Sequence, residues 1–334
     1  GIHVKPLDPS NFGLLLWTLQ GYLLVTAVLV VTVGRIGDIV GRVKMYNAGF
    51  VVFALASIAL TVTPAAGTAG AIFIIVLRVV QGIGGSLIMA NSAAILTDAF
   101  DASRRGMAMG FNVIAGIGGS FLGLIAGGIV SAMGWRLVFF VSVPIGVIGA
   151  VWSILVLHET AERQPASIDW WGNLTFGLGL TAILVGLTYG IQPAGGHPMG
   201  WQSPLVLGSL IVGVLLLVVF VLVERRARDP LIQLSLFRLP AFAAGGVSIL
   251  FANIGRGGLQ FMLIVWLQGI WLPLHGVNFV DTPFWAAIYL IPLSIGFITA
   301  GPIAGHLSDR YGQRAFTTGG MVLTAATFAG LCLL

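Results

Sequence analysis

The sequence predicts an all-α integral membrane protein, a bundle of about ten helices crossing a bilayer, and three observations carry that prediction. Of the 334 residues, 57% are hydrophobic and only 8% are charged, against roughly 25% charged in a soluble domain. A larger buried core cannot absorb the difference, because a chain of this length keeps much of its surface in contact with solvent. The apolar residues fall in long unbroken runs near the ~20 residues that span bilayer hydrocarbon. None of these runs shows the strict alternation of a membrane β-barrel. A mean hydropathy of +1.02 agrees, and a soluble enzyme, a nucleic-acid binder and a disordered chain are all disfavoured.

In chain order the spans are expected at about 14–34, 45–65, 69–95, 106–130, 136–157, 170–191, 203–223, 241–270, 284–305 and 315–334. Each must be helical, since only a helix or a closed barrel satisfies its own backbone in lipid. Two runs exceed the minimum length and are expected to tilt or to extend past the bilayer. Connections are short, and the longest, 224–240, mixes Leu, Ile, Phe and Arg in the manner of a connector with an interfacial turn. The chain begins at Gly1 and ends within an apolar run at Leu334, so it reads as a piece cut at both ends.

The few charges are placed unevenly. Loops after the first, third, fifth, seventh and ninth spans hold Arg35, Arg42, Lys44, Arg104, Arg105, Arg163, Arg225, Arg226, Arg228, Arg238, Arg310 and Arg314. The other loops and the N-terminal segment hold only Lys5 and Arg136. Such a bias marks the cytoplasmic side, which puts Gly1 outside the cytoplasm of a multi-pass plasma-membrane protein. The net charge of +5 is therefore an orientation signal rather than a nucleic-acid footprint.

A motif recurs. Gly34, Asp38 and Gly41 form G-x-x-x-D-x-x-G at one span end, and Gly305, Asp309 and Gly312 repeat it at another, each copy followed by basic residues such as Arg42 and Arg310. Internal repeats mark many secondary transporters. An aspartate at a helix C-terminus opposes the helix dipole and favours an arginine or another helix N-terminus close by. A contact of that kind, formed in one state and broken in the other, acts as a latch.

Gly34 to Lys44 resembles the loop 2–3 signature of the major facilitator superfamily, and Gly305 to Arg314 resembles its second-half copy. Arg78-Val-Val-Gln81-Gly82-Ile-Gly84-Gly85 is similar to that family's fourth-helix motif. Gly134-Trp135-Arg136, with Val143-Pro144-Ile145-Gly146, resembles its fourteen-span drug:proton antiporter branch. The resemblance implies a bundle of two pseudo-repeated halves with two extra central spans. Residues 1–157 would carry spans two to six, 158–223 the two inserted spans, and 224–334 spans nine to eleven. It further implies proton-coupled export of amphipathic small molecules or drugs by alternating access.

No carboxylate of the chain lies deep in a span, while two arginines, Arg78 and Arg256, do. Burying an arginine at a helix centre costs at least ~2.5–3.5 kcal/mol, so each needs a partner or a wet cavity. The resemblance implies that Arg78 takes part in proton coupling, and Gln81 shares its helix face. Asn253, Arg256 and Gln260 make one polar stripe on an apolar helix, and Gln20 is a weaker member of the same substrate and proton pathway. Gly116, Gly119, Gly123 and Gly127 form a small-residue face suited to close helix packing. That stretch resembles the family's fifth-helix antiporter motif, with Leu124 where proline is usual.

Catalytic and metal-binding patterns are missing. Neither H-E-x-x-H nor G-x-S-x-G nor a Walker loop occurs, and the five histidines are scattered at span ends. The sequence is thus expected to be neither an enzyme nor a metalloprotein. Cofactors are expected to be none, with the proton as coupling ion. The expected partners are the lipid bilayer and a small-molecule substrate, with no nucleic acid and a monomeric state. Uncoupled or differently coupled transport of a small metabolite, a channel, and an intramembrane enzyme remain as alternatives.

Overall fold

The computed structural model describes residues 9–63, 67–159, 168–194, 196–197, 199–227, 229–279, 281–311 and 313–331. Apart from one bridge between Ala194 and His197, the regular structure among them is helical. Among the described residues nine helical segments are long and apolar enough to cross a membrane, ending with Thr282–Ala300. The expected tenth span forms a helix, Gln313–Leu331, that is not among the nine. The chain divides by its contacts into two compact units, one of residues 1–105 and 134–235, the other of 106–133 and 236–334.

The first unit begins with α1 (Pro9–Val40), α2 (Arg42–Thr61) and α3 (Gly67–Ala99), where α1 and α2 both pack on α3. Lipid offers apolar side chains no incentive to associate, so close backbone approach through small residues holds such helices together. Gly82, Gly84 and Gly85 on α3 supply that approach. A Cβ at Gly82 would lie 2.8 Å from the Tyr22 carbonyl oxygen of α1. At Gly84 it would lie 2.6 Å from the Phe53 amide and 2.8 Å from the Gly49 carbonyl oxygen of α2. One notch in α3 therefore receives a neighbour on each side.

The next span of this unit is broken into α5 (Trp135–Phe140) and α6 (Ser142–Val156), since Pro144 cannot donate the amide bond that Phe140 would accept. The hairpin of α7 (Trp170–Gly190) and α8 (Pro204–Glu224) is likewise closed by glycines, with a Cβ at Gly213 falling 3.0 Å from the Gly179 carbonyl oxygen. Its α7 also packs on α1. Asp169 caps α7 by accepting from the Gly172 amide at 2.8 Å. Glu224 ends α8 buried and accepts from the amides of Leu231 and Ile232 at 3.2 and 3.4 Å. That ties down the start of the connector, which carries a 3₁₀ turn at Leu234–Arg238.

The second unit contains most of α4 (Ala102–Met133) together with α9 (Pro240–Trp266). From α9 the chain widens into a π turn at Leu267–Trp271 and a last turn α10 (Leu272–Leu274). Pro273 lacks the amide that Gly269 would accept, which accounts for the widening. The following span is split into α11 (Thr282–Tyr289) and α12 (Ile291–Tyr311), a break Pro292 explains in the same way, and α13 (Gln313–Leu331) follows. Leu267, Leu272, Ala286 and Leu290 form a small core there, flanked by Trp271, which stacks on His275 at 4.1 Å.

The small-residue face expected on α4 is not packed as the spacing predicts. No described atom lies within 4 Å of a Cβ placed at Gly116, Gly119, Gly123 or Gly127. The close approach falls at Gly128, 2.9 Å from the Ala287 Cβ and 3.1 Å from the Pro283 carbonyl oxygen. Spacing alone marks a face that permits contact, whereas the neighbour selects the residue it meets.

These contacts separate two kinds of glycine. Gly84→Ala is expected to destabilise the protein by about 1–3 kcal/mol, because backbone on α2 must move to admit the methyl group. Gly116→Ala is expected to be neutral or slightly stabilising, by helix propensity. Thermal unfolding of the purified protein in detergent measures both, and equal shifts would contradict the packing described.

Candidate functional site

The first site lies where α1 passes into α2. Only Gly41 separates the two helices, at φ +125°, a backbone conformation that side chains resist. This tight turn brings Asp38, near the end of α1, against Arg42 at the start of α2. The guanidinium donates from Nε to Asp38 Oδ1 at 2.9 Å, and its Nη2 lies 2.8 Å from the same oxygen. Its Nη1 donates to both carboxylate oxygens of Asp98, at 2.6 and 2.5 Å. Asp98 stands at the end of α3, so Arg42 clamps the ends of two helices from the start of a third.

A cation at a helix N-terminus sits at the wrong end of the dipole, and Glu159 compensates. Its Oε1 accepts from the Arg42 amide at 3.0 Å and its Oε2 from the Val43 amide at 3.2 Å, capping α2 from the segment after α6. A Cβ at Gly41 would lie 2.5 Å from Glu159 Oε2. Both the backbone angle and the cap therefore call for glycine. Arg42, Asp38 and Asp98 are each about a quarter exposed, an environment where a charge network of this kind is worth more than an isolated surface pair.

The second site is deeper and centres on Arg78. Its Nε donates to the Thr18 carbonyl oxygen of α1 at 2.9 Å, and its Nη1 donates to Gln81 Oε1 at 2.7 Å. Gln81 Nε2 then donates to Ser57 Oγ of α2 at 2.8 Å, and Ser57 donates to the Phe53 carbonyl oxygen at 2.7 Å. The guanidinium carbon also stands 4.8 Å from the Tyr22 ring centroid, a cation–π contact. Arg78 is half-buried and Gln81 fully buried. Three helices are thus joined by one polar chain in an apolar setting.

The third group belongs to the second unit. Asn253 Nδ2 donates to the Ile249 carbonyl oxygen at 2.8 Å, and its Oδ1 accepts from Arg256 Nη2 at 3.4 Å. Asn253 and Arg256 line a cavity of about 420 Å³ with Leu293 of α12 and Thr324, Thr327 and Phe328 of α13. Gln260 is exposed and does not line it.

The structure joins Arg78 to Gln81, Asp38 to Arg42, and Asn253 to Arg256. Gln20 is placed elsewhere: its Oε1 accepts from Thr188 Oγ1 of α7 at 2.7 Å, a bond between helices that does not involve Arg78. Gly34 lies inside α1, which continues through the motif to Val40. Gly305, Asp309 and Arg310 fall in α12, but the placement of their side chains, and all of Gly312, lie outside the described residues.

Sequence reasoning missed Asp98 and Glu159 as partners of the α1–α2 turn, and Ser57 and Thr18 as partners of the Arg78 chain. For Asp98 a signal was present. An acid in the last turn of a long helix opposes the dipole, the same reasoning that singled out Asp38.

A model of the family described as the Major Facilitator Superfamily matches residues 7–334. Among curated relatives, the Tetracenomycin C resistance and export protein of Streptomyces glaucescens is 32% identical over 322 residues, covering 95% of this chain and 56% of that protein. The Methyl viologen resistance protein SmvA of Salmonella typhimurium is 31% identical over 325 residues, covering 96% of this chain and 61% of that protein. The Multidrug transporter protein MdtP of Bacillus subtilis is 26% identical over 326 residues, covering 96% and 56%. The chain thus spans somewhat more than half the length of the curated relatives it matches.

The geometry of the α1–α2 turn gives a direct test. Arg42→Lys keeps the charge but not the fork that serves two carboxylates, so it is expected to lose about 1–2 kcal/mol of stability. Asp98→Asn should cost less when Arg42 is already replaced, with a coupling of about 1 kcal/mol in a double-mutant cycle on thermal unfolding. Strict additivity would remove the interaction from the account.

Proposed function

The chain belongs to the Major Facilitator Superfamily, a family of transporters, and on that premise we propose that the protein carrying it is a secondary active exporter of amphipathic small molecules. It exchanges substrate for protons by alternating access, needs no cofactor and is not an enzyme. It works as a monomer in the plasma membrane, with lipid and substrate as its partners and no role for nucleic acid. The basic loops face the cytoplasm, so the segment before α1 lies outside. Relatives whose names speak of resistance, export and multidrug transport support this reading.

The observation that carries the mechanism is Arg42 held between Asp38 and Asp98. Three helix ends are fastened by one side chain that can be released without unfolding any helix. Rocking of one bundle against another around a midplane site needs such a contact at one face of the membrane. We assign it as a cytoplasmic latch, with Asp309 and Arg310 as its counterpart in the repeat. Arg78 cannot be the proton carrier itself, because a guanidinium does not deprotonate in proteins. It acts by setting the potential and fixing Gln81, while Asn253 and Arg256 face the substrate path.

Two experiments test this. In proteoliposomes, an inward proton gradient is expected to drive substrate out of the compartment equivalent to the cytoplasm. An uncoupler should abolish the concentrative step, and Arg78→Ala should lower coupled flux at least ten-fold while leaving the protein folded. Flux that is indifferent to the gradient would refute proton coupling. For orientation, a cysteine at His197 should react with an impermeant maleimide added outside intact cells, and one at Ala102 should not.

A further inference from the structure

Two carboxylates meet at the open end of the hairpin formed by α7 and α8. Asp169 precedes α7, Glu224 closes α8, and both turn toward the buried Gly172. A Cβ at that glycine would lie 2.8 Å from Asp169 Cγ and 3.0 Å from Glu224 Oε1, so the two groups are at most about 6 Å apart. Glu224 is only 3% exposed. Its contacts with the Leu231 and Ile232 amides, at 3.2 and 3.4 Å, are longer than the ~2.7–2.9 Å of charge-assisted bonds. Asp169 Oδ1 accepts from the Gly172 amide, while its Oδ2 is buried and has no hydrogen-bond partner. A buried oxygen left without a donor is costly, and what stands opposite it is a second acid.

The surroundings do not offset the pair. The segment α7 carries no charged side chain, and α8 carries only Glu224. The link from α1 to Asp169 is neutral: Thr32 donates to Asn173 Oδ1, and Asn173 Nδ2 donates to the Asp169 carbonyl oxygen at 2.8 Å. The charged residues of α1 are Arg35 and Asp38, and Arg42 holds Asp38. The connector carries Arg225, Arg226, Asp229 and Arg238. Among the described residues, none of these arginines forms an ion pair with Asp169 or Glu224. Glu162, Arg163 and Arg228 lie outside the described residues.

We infer that Asp169 and Glu224 share one proton, and that this proton straps the connector to the open end of the hairpin. Taken from water, the proton rests on Glu224, whose O–H then donates to Asp169 Oδ2. The orphaned oxygen gains its donor, and Glu224 continues to accept from the connector amides. Asp169 stays ionised, as the start of a helix favours. When the proton returns to water, two anions face each other in a buried setting, where repulsion is poorly screened. Glu224 turns outward, the amides of Leu231 and Ile232 are released, and the connector loosens. The strap therefore closes at lower pH and opens as pH rises, because the closed form holds one proton more. The inference stands apart from the exporter reading, since neither substrate nor flux enters it.

The test uses the protein carrying this chain, purified in detergent, with a spin label on a cysteine at Gln233 in a background free of other cysteines. Gln233 is exposed and follows the two tied amides. Measurements at about pH 6 and about pH 9 bracket the titration of most buried carboxylates. The wild-type label is expected to be immobile at the lower pH and several-fold more mobile at the higher. Glu224→Gln mimics the protonated acid, since its amide both donates and accepts, so its label should stay immobile at both. Asp169→Asn keeps a helix-capping side chain and removes the repulsion, with the same expected result. Glu224→Ala should leave the label mobile at both. Infrared spectra of the wild type should show a protonated-carboxyl C=O band at the lower pH that is lost at the higher, and either Glu224→Gln or Asp169→Asn should remove it. Should Glu224→Gln fail to fold, Asp169→Asn carries the same comparison.

The inference is overturned if the wild type lacks that band at the lower pH, or if the label ignores pH. It also falls if either single substitution leaves the wild-type pH response in place. Restoration of the immobile label at the higher pH by added sodium or calcium would overturn it too, because a metal cation rather than a proton would then join the carboxylates.

Discussion

The close approach of α3 to both α1 and α2 is the contact on which the first unit depends. Because Gly82 and Gly84 have no side chains, backbone meets backbone at distances no other residue would allow, and Gly85 leaves room for the Tyr22 ring. That approach sets where everything else on α3 can reach. Arg78, one turn before the notch, is placed to donate to a carbonyl oxygen of α1 and, through Gln81, to the Ser57 hydroxyl of α2. Asp98, at the far end, is placed to receive Arg42. In lipid, where apolar surface alone does not drive helices together, the glycines supply the van der Waals contact and the arginines supply direction.

Both polar sites of the first unit therefore sit on one rigid element. From Arg78 to Asp98 the helix is continuous, ~30 Å at about 1.5 Å per residue. A rigid shift of α3 at the Arg42 clamp would move Arg78 with it. That is a physical link between two sites and needs no chain of rearranging side chains. The short polar chain from Arg78 to Ser57 adds to this, because it cannot slide without exposing a buried amide.

The membrane class and the helical spans were legible from composition and run length alone, and the family was legible from motif residues. The limits of sequence reading are equally specific. The glycines at 116, 119, 123 and 127 read as a packing face, yet contact falls on Gly128 because Pro283 and Ala287 come from a distant part of the chain. Gln20 and Arg78 are both polar residues in apolar spans, and pattern alone put them in one pathway. Helix rotation separates them, since Gln20 turns to Thr188 on α7. Asp98 and Glu159 escaped for the same reason. A helix-end acid announces that it needs a partner but not which one, and the answer lies more than fifty residues away.

The two membrane-depth arginines also show why identical side chains take different roles. Arg78 is consumed internally: a carbonyl oxygen, an amide oxygen and an aromatic face surround it, so its field is largely spent on holding three helices in register. Arg256 faces a cavity with an orienting amide at its side and hydroxyl oxygens opposite. Neither guanidinium can release its proton. What each arginine contributes is a fixed positive charge within its own unit. A fixed potential in a low-dielectric setting selects by sign before it selects by shape.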